Sequence, residues 1–467
     1  MSKSVAVIGA GISGLCTAAL LAKQGISVEL FEKSSGVGGR TRSVVFRQHI
    51  LDNGFHVMPF YKTSSVYTVL KQLGITKQLR LAKVDNIAFY EGGKFHKYPR
   101  GIADILSLTL LPISSRIALL KLLIPMAFSS IEKSEKLDSR SLKDIIEKLD
   151  SKTRAFFDAI CMLAFADTPE NVAHGEFIRT IIRANPFKGG TSEFAYPADG
   201  GYDTICKLVA KYVTEHGGKI HLNESIKQVK IVQSKATGII KSDGEFVGFD
   251  SVVVSQPAYL AVNELFEKGT FNDNLLSKIQ KLNKTTSVIE AHYGLSKKID
   301  SRQVVFPVGQ YTGKGIFFVS NITDSVSPPG EHLVMVGTPV PSEYTENPQK
   351  IREITAKMKQ EMSEIYPEFE KSLVWERPMA WKLVEAVVKE PGLVWKQKMP
   401  HSIAEISGLF FVGDSTISYG IGTDSAAQSS ILCHPKIVQH LSSRSEEHTS
   451  ELQSHSDLVC RLLLEKK

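Results

Sequence analysis

Residues 5–32, which read VAVIGAGISGLCTAALLAKQGISVELFE, constrain the fold of this chain more than any other stretch. In order, the stretch contains a short apolar run, a glycine-rich turn, a run rich in alanine and leucine, and a second apolar run: 5–8, 9–14, 15–23 and 28–31. Short runs of small and β-branched apolar residues are typical of buried parallel strands, and the run between them has the composition of a helix. The stretch therefore predicts a βαβ unit.

The turn of this unit has the spacing G-x-G-x-x-G, formed by Gly9, Gly11 and Gly14. The first glycine permits the tight turn, the second lets backbone amides approach a pyrophosphate, and the third lets the helix pack closely on the strand. The pyrophosphate would lie at the helix N-terminus, beside Ile12 and Ser13, where free N–H groups and the helix dipole favour an anion.

Glu32 lies 18 residues after Gly14, at the end of the second predicted strand. An acidic side chain at this place accepts hydrogen bonds from a ribose. The motif alone could be an ordinary glycine-rich turn, but the strands, the helix and the terminal acid all agree with it. We predict a dinucleotide-binding domain.

The composition is that of an ordinary globular protein with two or three domains. The chain has 467 residues, of which 42% are hydrophobic and 22% charged. The net charge of +7 is mild; we expect no nucleic-acid partner, and both a solvated basic surface and attraction to an anionic membrane agree with this charge. The five cysteines form no C-x-x-C pair and no Cys/His cluster, which predicts a reducing, cytoplasmic compartment without a disulfide framework or metal site.

The last 24 residues change abruptly in character. Their segment RSEEHTSELQS, within residues 444–467, resembles the in-frame translation of a sequencing-adapter oligonucleotide. The alternative is a polar, partly helical tail. We expect an artefactual or disordered segment and base no fold prediction on it.

A second glycine-rich loop, KSSGVGGRTRS at 33–43, follows Glu32 directly. The loop contains three glycines, then an arginine and a threonine: Gly36, Gly38, Gly39, Arg40 and Thr41. The glycines make the loop flexible, and the two side chains after them carry donors for phosphate oxygens. Further along, residues 51–57 read LDNGFHV.

These motifs resemble the flavin-containing amine oxidase and phytoene desaturase superfamily, in which the second glycine motif clasps the pyrophosphate and flavin of FAD. LDNGFHV resembles the D-x-G-x-H segment with which plant-type carotene desaturases line the flavin. Nothing resembles a covalent attachment site, so the resemblance implies noncovalent FAD. It also implies cofactor contacts from these two segments: Lys33, Gly38, Gly39, Arg40, Thr41, Gly54, Phe55 and His56. His56 is the candidate catalytic residue; the alternative is a hydrogen-bonded loop histidine.

The C-terminal motif consists of GLFFVGD at 408–414 and YGIGTDSAAQSS at 419–430. In the superfamily, the aspartate of such a motif hydrogen-bonds a ribityl or phosphate oxygen. The following helix directs its N-terminal amides at the flavin edge where negative charge gathers. The resemblance implies contacts from Gly413, Asp414, Gly422, Thr423, Asp424 and Ser425, and a backbone contact of Ile226 with the adenine end. For Ile226, a purely structural strand residue is the alternative.

The order of these motifs predicts an α/β fold with a discontinuous Rossmann-like FAD-binding domain, a mixed α+β substrate domain and a helical cap. The predicted parts are FAD-binding segments at 1–89, 196–260 and 395–443, substrate-domain and cap segments at 90–195 and 261–394, and the tail at 444–467.

Residues 101–131 are largely apolar, and we expect Pro112, Arg116, Lys121 and Pro125 to break them into short pieces. No uncharged run there is long enough to span a bilayer. The stretch either lies in a membrane interface, with Arg116 and Lys121 facing lipid headgroups, or forms core helices above a substrate cavity. The expected localisation is cytoplasmic, with peripheral membrane contact as an open alternative.

Within the superfamily, the likeness at 388–396 and in the C-terminal motif is to plant-type phytoene and ζ-carotene desaturases and to hydroxysqualene enzymes. This resemblance implies an FAD-dependent oxidoreductase that dehydrogenates an apolar, isoprenoid-like substrate. The chain departs from amine oxidases at 385–388, EAVV, and from the desaturases at 424–426, DSA. Amine or protoporphyrinogen-type oxidation and non-redox isomerisation therefore remain alternatives, and the electron acceptor is left open.

Overall fold

The computed structural model describes residues 3–54, 56–184 and 194–464, with side chains described as far as residue 443. The strands of these ranges are β1 (Ser4–Ile8), β2 (Ser27–Glu32), β3 (Ser43–Phe46), β4 (His49–Asp52), β5 (Leu81–Val84), β6 (Ile87–Glu91), β7 (Lys94–Lys97), β8 (Phe194–Pro197), β9 (Lys219–Leu222), β10 (Ile226–Val232), β11 (Lys235–Lys241), β12 (Phe246–Gly248), β13 (Ser251–Val254), β14 (Thr286–Leu295), β15 (Val304–Pro307), β16 (Gly315–Phe317), β17 (His332–Val340), β18 (Leu373–Glu385), β19 (Ser402–Ile403) and β20 (Ile406–Phe411).

The α-helices of the same ranges are α1 (Ile12–Ala22), α2 (Ser65–Leu73), α3 (Ile102–Leu106), α4 (Ile113–Ala127), α5 (Ile131–Ser134), α6 (Lys143–Ile146), α7 (Ser151–Phe165), α8 (His174–Ala184), α9 (Asp203–Glu215), α10 (Ala258–Glu264), α11 (Asp273–Lys281), α12 (Pro348–Ile365), α13 (Phe369–Ser372) and α14 (Gly422–Leu464).

The first sheet joins strands from three distant parts of the chain. Its order is β10-β11-β20-β13-β1-β2-β9, and β12 and β19 pair at its side. The strands from β20 to β9 run parallel. Because carboxyl ends of parallel strands meet at one edge, the turns after β1, β2, β13 and β20 converge there. This confirms the predicted α/β fold with a discontinuous Rossmann-like domain.

Helix α1 explains why its sequence is rich in small apolar residues. All of its residues are buried, and it packs against β2, α9 and α14. Because a helix enclosed on all sides has no polar face, its sequence has no amphipathic periodicity. Such a helix is recognised by its apolar composition instead. The predicted helix at 15–23 is confirmed, with its start three residues earlier.

The second sheet has the order β18-β14-β17-β16-β15-β6-β7, and all of its pairs are antiparallel except β15 with β6. The glycine pair at 92–93 forms the turn of the hairpin between β6 and β7. Strand β6 begins at Ile87, so this sheet crosses the predicted boundary at 89–90. The other domain boundaries stay predictions.

The apolar stretch at 101–131 is less fragmented than expected. Helix α4 continues past Arg116 and Lys121 and includes Pro125 in its last turn, where the missing proline N–H removes a hydrogen bond near the helix end only. Among the described helices, none alone has the length and apolarity to cross a membrane; the segments Ile113–Ala127 and Ile131–Leu137 meet those criteria only as a pair bent by 113°.

The predicted tail follows directly from the last helix of the FAD-binding domain. The backbone of α14 continues to Leu464, and the expectation of an artefactual or disordered segment at 444–467 stays a prediction. Its likeness to an adapter sequence stays a prediction.

Candidate cofactor and substrate site

A cavity of about 400 Å³, called here the nucleotide cavity, lies where β1, β2, β13 and β20 end. Ligands of open α/β sheets bind outside the carboxyl ends of the strands, so this is the expected place for a dinucleotide. The predicted cofactor residues that line the cavity are Gly9, Gly11, Ile12, Ser13, Glu32, Lys33, Gly38, Gly39, Arg40, Thr41, His56, Ile226, Asp414, Gly422 and Thr423. Their contacts with a cofactor stay predictions.

The three glycines of the first turn do different work. Gly9 has φ +101°, a conformation that favours glycine. A Cβ at Gly14 would lie 2.0 Å from the Gly9 carbonyl oxygen, whereas one at Gly11 would meet no protein atom within 4 Å. Gly14 therefore serves close packing inside the protein and does not line the cavity, while the space beside Gly11 is open to a ligand.

The second glycine-rich loop lies directly on the first. Gly38 N donates to the Ala10 carbonyl at 2.8 Å, and a Cβ at Gly39 would lie 3.3 Å from the Gly11 Cα. The Thr41 hydroxyl donates to the Gly38 carbonyl at 2.7 Å. Its proton is therefore used within the loop, and the expectation that Thr41 donates to phosphate is not supported by this geometry.

Glu32 accepts hydrogen bonds from the first glycine-rich turn and from Ser34, and one acceptor position of its carboxylate remains unused. Its carboxylate accepts from Ala10 N at 2.8 Å, Ser34 N at 2.9 Å and the Ser34 hydroxyl at 2.6 Å. A carboxylate can accept about four hydrogen bonds, which leaves room for a hydroxyl such as that of a ribose.

Arg40 is engaged mainly by the protein. Its guanidinium donates to both Asp414 oxygens, at 2.7 and 2.8 Å, and to the Val384 carbonyl at 3.1 Å. Three of its five N–H donors are thus used within the protein, two of them by a carboxylate, which leaves two for the phosphate contact that was predicted. Burial alone would raise the pKa of Asp414, but the charge and hydrogen bonds of Arg40 and the Ala386 N–H hold that pKa well below its ordinary value.

His56 lies between the nucleotide cavity and a second cavity, and it lines both. Its Nδ1 is 2.8 Å from the Gly54 carbonyl oxygen, and its ring stacks on Tyr202 with centroids 5.3 Å apart. A carbonyl only accepts, so Nδ1 carries the proton and a neutral ring offers Nε2 as an acceptor. Gly54 lines the second cavity, and Phe55 lies outside the described residues.

The N-terminal turn of α14 divides its residues between the cavities and the interior. Gly422 and Thr423 line both cavities. The Asp424 carboxylate accepts from Arg183, with one contact at 3.0 Å, and the Ser425 hydroxyl lies 2.9 Å from that of Ser418. Because Asp424 and Ser425 point to other faces of the helix, their predicted flavin contacts are not supported by side-chain placement.

Gly413 is predicted to contact the cofactor but lies behind the cavity wall. It has φ +129°, and its N–H donates to the Ser429 hydroxyl at 2.8 Å. It allows the chain to turn so that Asp414 faces Arg40.

The second cavity, called here the apolar cavity, has a volume of about 270 Å³. It shares His56, Val384, Gly422 and Thr423 with the nucleotide cavity. Most of its lining side chains are hydrophobic. Those from α7, α8 and the second sheet are Ile160, Met162, Leu163, Phe177, Ile181, Val288, Phe306, Phe317 and Met335, and Phe60 and Tyr98 come from loops.

Three charged residues also line the apolar cavity, and sequence patterns did not single them out for a role: Glu290, Lys314 and Glu385. Glu385 accepts from Gly422 N at 2.9 Å and pairs with buried Lys389 at 3.1 Å. Burial lowers the pKa of Lys314, against the opposing charges of Glu361 and Asp158. The sequence does contain one signal for Glu290, which is an acidic residue in the middle of an apolar strand. Because charged residues are seldom fully buried without a partner, such a residue indicates a functional role.

The residues present fit FAD. The open space at Gly11, the N-terminus of α1 without acidic residues in its first turn, and the remaining acceptor position on Glu32 match a pyrophosphate and a ribose. The fold and the two joined cavities define a dinucleotide-binding protein whose cofactor site adjoins an apolar chamber.

The model of the flavin containing amine oxidoreductase family matches residues 12–433. The chain belongs to this family and is an FAD-dependent oxidoreductase, which confirms the predicted superfamily and cofactor.

Two curated relatives are desaturases. The chain is 21% identical to the 4,4'-diapophytoene desaturase (4,4'-diapolycopene-forming) of Methylomonas sp, over 89% of this chain and 91% of that protein. It is 22% identical to the phytoene desaturase of Fusarium fujikuroi, over 73% of this chain and 66% of that protein. Among solved structures, an oxidoreductase from Methanosarcina mazei has a TM-score of 0.75 and 21% identity, covering 92% of this chain and 99% of that one. That likeness supports the fold.

Proposed function

We propose that the protein dehydrogenates an apolar, isoprenoid-like substrate bound in the apolar cavity. The observation that carries the proposal is the contact between the two cavities at His56, Val384, Gly422 and Thr423. A hydrophobic molecule in the apolar cavity would lie directly beside the cofactor site. The desaturase relatives act, by their names, on molecules of this class.

FAD, when held by the residues that line the nucleotide cavity, would supply the hydride acceptor. The chain's own side chains hold the substrate and exclude water, because the lining from α7, α8 and the second sheet is mainly hydrophobic. The N-terminus of α14 directs the positive end of its dipole at the junction of the cavities. His56, held by Gly54 and Tyr202, directs its Nε2 to the same place, where a neutral ring accepts a hydrogen bond.

Filling the apolar cavity is expected to slow substrate oxidation without loss of FAD. Ala164 lines the apolar cavity but not the nucleotide cavity. Ala164→Trp should reduce the rate of anaerobic flavin bleaching by an acyclic isoprenoid polyene about tenfold or more, since pocket shape changes of a few carbon atoms have effects of this size. Lys152→Trp, at an exposed position of the same helix, is the control. Equal bleaching rates in Ala164→Trp and wild type would contradict the assignment of this cavity.

Amine oxidation is the second candidate, and one observation favours it. The Glu290 carboxylate lines the apolar cavity and would attract an ammonium group. Anaerobic bleaching by long-chain primary amines, with no bleaching by polyenes, would support this activity instead. Activity only after prior reduction of the flavin would support isomerisation.

We further propose that α3 and α4 contact a membrane surface. Large apolar side chains are exposed there: Ile102, Leu106, Ile113, Ile117 and Phe128. Ile113, Ile117 and the exposed Lys121 follow at four-residue intervals on one face of α4. Arg116 does not join that face, since it donates to the Leu111 and Leu106 carbonyls at 2.7 Å and ties the two helices together.

Charges on this face are expected to release the protein from lipid. In a sedimentation assay, the double variant Ile113→Glu, Ile117→Glu should bind vesicles that contain an anionic phospholipid at least about tenfold more weakly than wild type. The reason is that two apolar side chains no longer enter the membrane interface. Val45→Glu is the control, as Val45 is 76% exposed on β3 and Ile113 is 70% exposed. Wild-type protein that stays in the supernatant would contradict membrane contact.

A further inference from the structure

Glu290 lies in the middle of β14, between Gly337 of β17 and Met379 of β18. Its residue exposure is 1%, and its side chain lines the apolar cavity. A carboxylate so placed is costly to bury unless its charge or hydrogen bonds are satisfied.

The contacts described for Glu290 converge on a single oxygen, Oε1. It accepts from Gly54 N at 3.2 Å and from Trp381 Nε1, and His292 Nε2 is 3.5 Å away. Within the described residues, no donor reaches Oε2. One oxygen is thus anchored by the protein, and the other is available to a molecule in the cavity.

Glu290 differs from Glu385, the other carboxylate that lines the cavity, in its pairing with cations. Glu385 is paired with the buried Lys389 at 3.1 Å. No lysine or arginine among the described residues pairs with Glu290, and His292 balances its charge only when protonated. The charges of Glu361 and Asp158 favour the protonated form of Lys314 and raise its pKa, whereas burial and the charge of Lys357 lower it. Glu290 is therefore the carboxylate suited to a positive charge or a proton that arrives with the substrate.

Gly54, which donates a hydrogen bond to Glu290, belongs to the loop that separates the apolar cavity from the nucleotide cavity. Gly54, which donates to Oε1, has its carbonyl bound to His56 Nδ1, and His56 lines both cavities. The loop that separates the cavities thus positions the carboxylate.

We propose that Glu290 is the catalytic base of the dehydrogenation. This inference rests on the proposed function. Two adjacent C–H bonds of the substrate break: one hydrogen leaves as hydride, with two electrons, to the oxidised flavin, and the other leaves as a proton to Glu290 Oε2. The electron pair of the second bond forms the new C=C bond. The substrate is oxidised, FAD is reduced, and positive charge that develops on the carbon chain faces the carboxylate.

Glu290→Gln tests this assignment with little change of shape. Its amide oxygen can still accept from Gly54 N and Trp381 Nε1, so FAD content and unfolding temperature should match wild type. The single-turnover rate of anaerobic flavin bleaching by an isoprenoid polyene should fall about a hundredfold or more, the usual effect of losing a general base. Glu376→Gln, which removes an exposed carboxylate on β18, is the matched control and should keep the wild-type rate.

A binding measurement supplies a readout separate from turnover. Decyltrimethylammonium, used below its micelle concentration, carries a fixed positive charge and cannot be oxidised as an amine; decanol is its neutral counterpart. By calorimetry, wild type should prefer the ammonium probe to the alcohol by about tenfold more than Glu290→Gln does, because only the wild type offers a carboxylate to attract the fixed positive charge.

The outcomes separate the two proposals. If no polyene bleaches wild-type flavin, the proposed function fails. If polyenes bleach wild type and Glu290→Gln at equal rates, or if both proteins show the same probe preference, the proposed function stands and the role of Glu290 is overturned. A slow Glu290→Gln variant with lost probe preference supports the base.

Discussion

Gly14→Ala is expected to weaken FAD binding by about tenfold or more. A methyl group at Gly14 would lie 2.0 Å from the Gly9 carbonyl oxygen, which is a backbone atom and cannot rotate away. The turn and α1 must separate, at a cost of about 2–3 kcal/mol for such overpacking. Because the same turn borders the pyrophosphate site, FAD affinity should fall by about tenfold or more. The measurement is the ratio of flavin to protein absorbance after gel filtration.

Two other glycines make this test specific. A Cβ at Gly36 would meet only the flexible end of Arg42, at 3.3 Å, so Gly36→Ala should retain FAD. A Cβ at Gly11 meets no protein atom within 4 Å, so Gly11→Ala should keep the unfolding temperature of the apoprotein yet bind FAD more weakly. If Gly14→Ala purified with full FAD content, the packing assigned to this turn would be wrong.

Arg40→Met is expected to cost about 3 kcal/mol of stability at neutral pH, because it leaves the buried Asp414 carboxylate without its cation. The estimate is at the lower end for a broken buried pair, since the Arg40 side chain is 33% exposed. The matched control is Arg80→Met. Arg80 pairs with Asp199 at 2.8 Å, but both side chains are largely exposed, so its loss should cost less than about 1 kcal/mol.

The deficit of Arg40→Met should depend on pH. The pKa of Asp414 in the folded wild type is held below its ordinary value of 3.8. The stabilisation is therefore present above that value and is lost as the pH falls through the folded-state pKa. Without Arg40, the penalty of burying the ionised Asp414 is opposed only by the Ala386 N–H and the charge of Lys389. The difference in unfolding temperature between the two proteins should be largest near neutrality and shrink below about pH 4. An equal difference at all pH values would assign the loss to contacts other than this ion pair.

The sequence alone located the nucleotide site because its signals are local. The motif at Gly9, Gly11 and Gly14 reflects steric limits within a single turn, and Glu32 follows at the end of the adjacent strand. Helix α2 carries a similar local signal, since its apolar residues Val66, Val69, Leu70 and Leu73 recur at helical spacing and are all buried. Family resemblance extended these signals to FAD and to the distant Asp414.

Local patterns were insufficient where tertiary partners decide. The short strand β15 has four residues, all buried, and it became a strand because β6 and β16 flank it. Helix α4 passed through Pro125 because the proline lies in its last turn. Asp424 and Ser425 appeared to belong with Thr423, but the rotation of the helix placed them on other faces.

Sequence determined the βαβ unit, the class of cofactor and most of the predicted residues that line the nucleotide cavity, since backbone sterics and short-range periodicity act between near neighbours in the chain. Tertiary structure alone decided that Arg40 serves Asp414, 374 positions away, and that Glu290 meets the N–H of Gly54, 236 positions away, at the wall of an apolar cavity. The physical reason is that partners for buried charges are selected by how sheets and helices pack, and this packing brings together residues whose separation leaves no periodic trace in the chain.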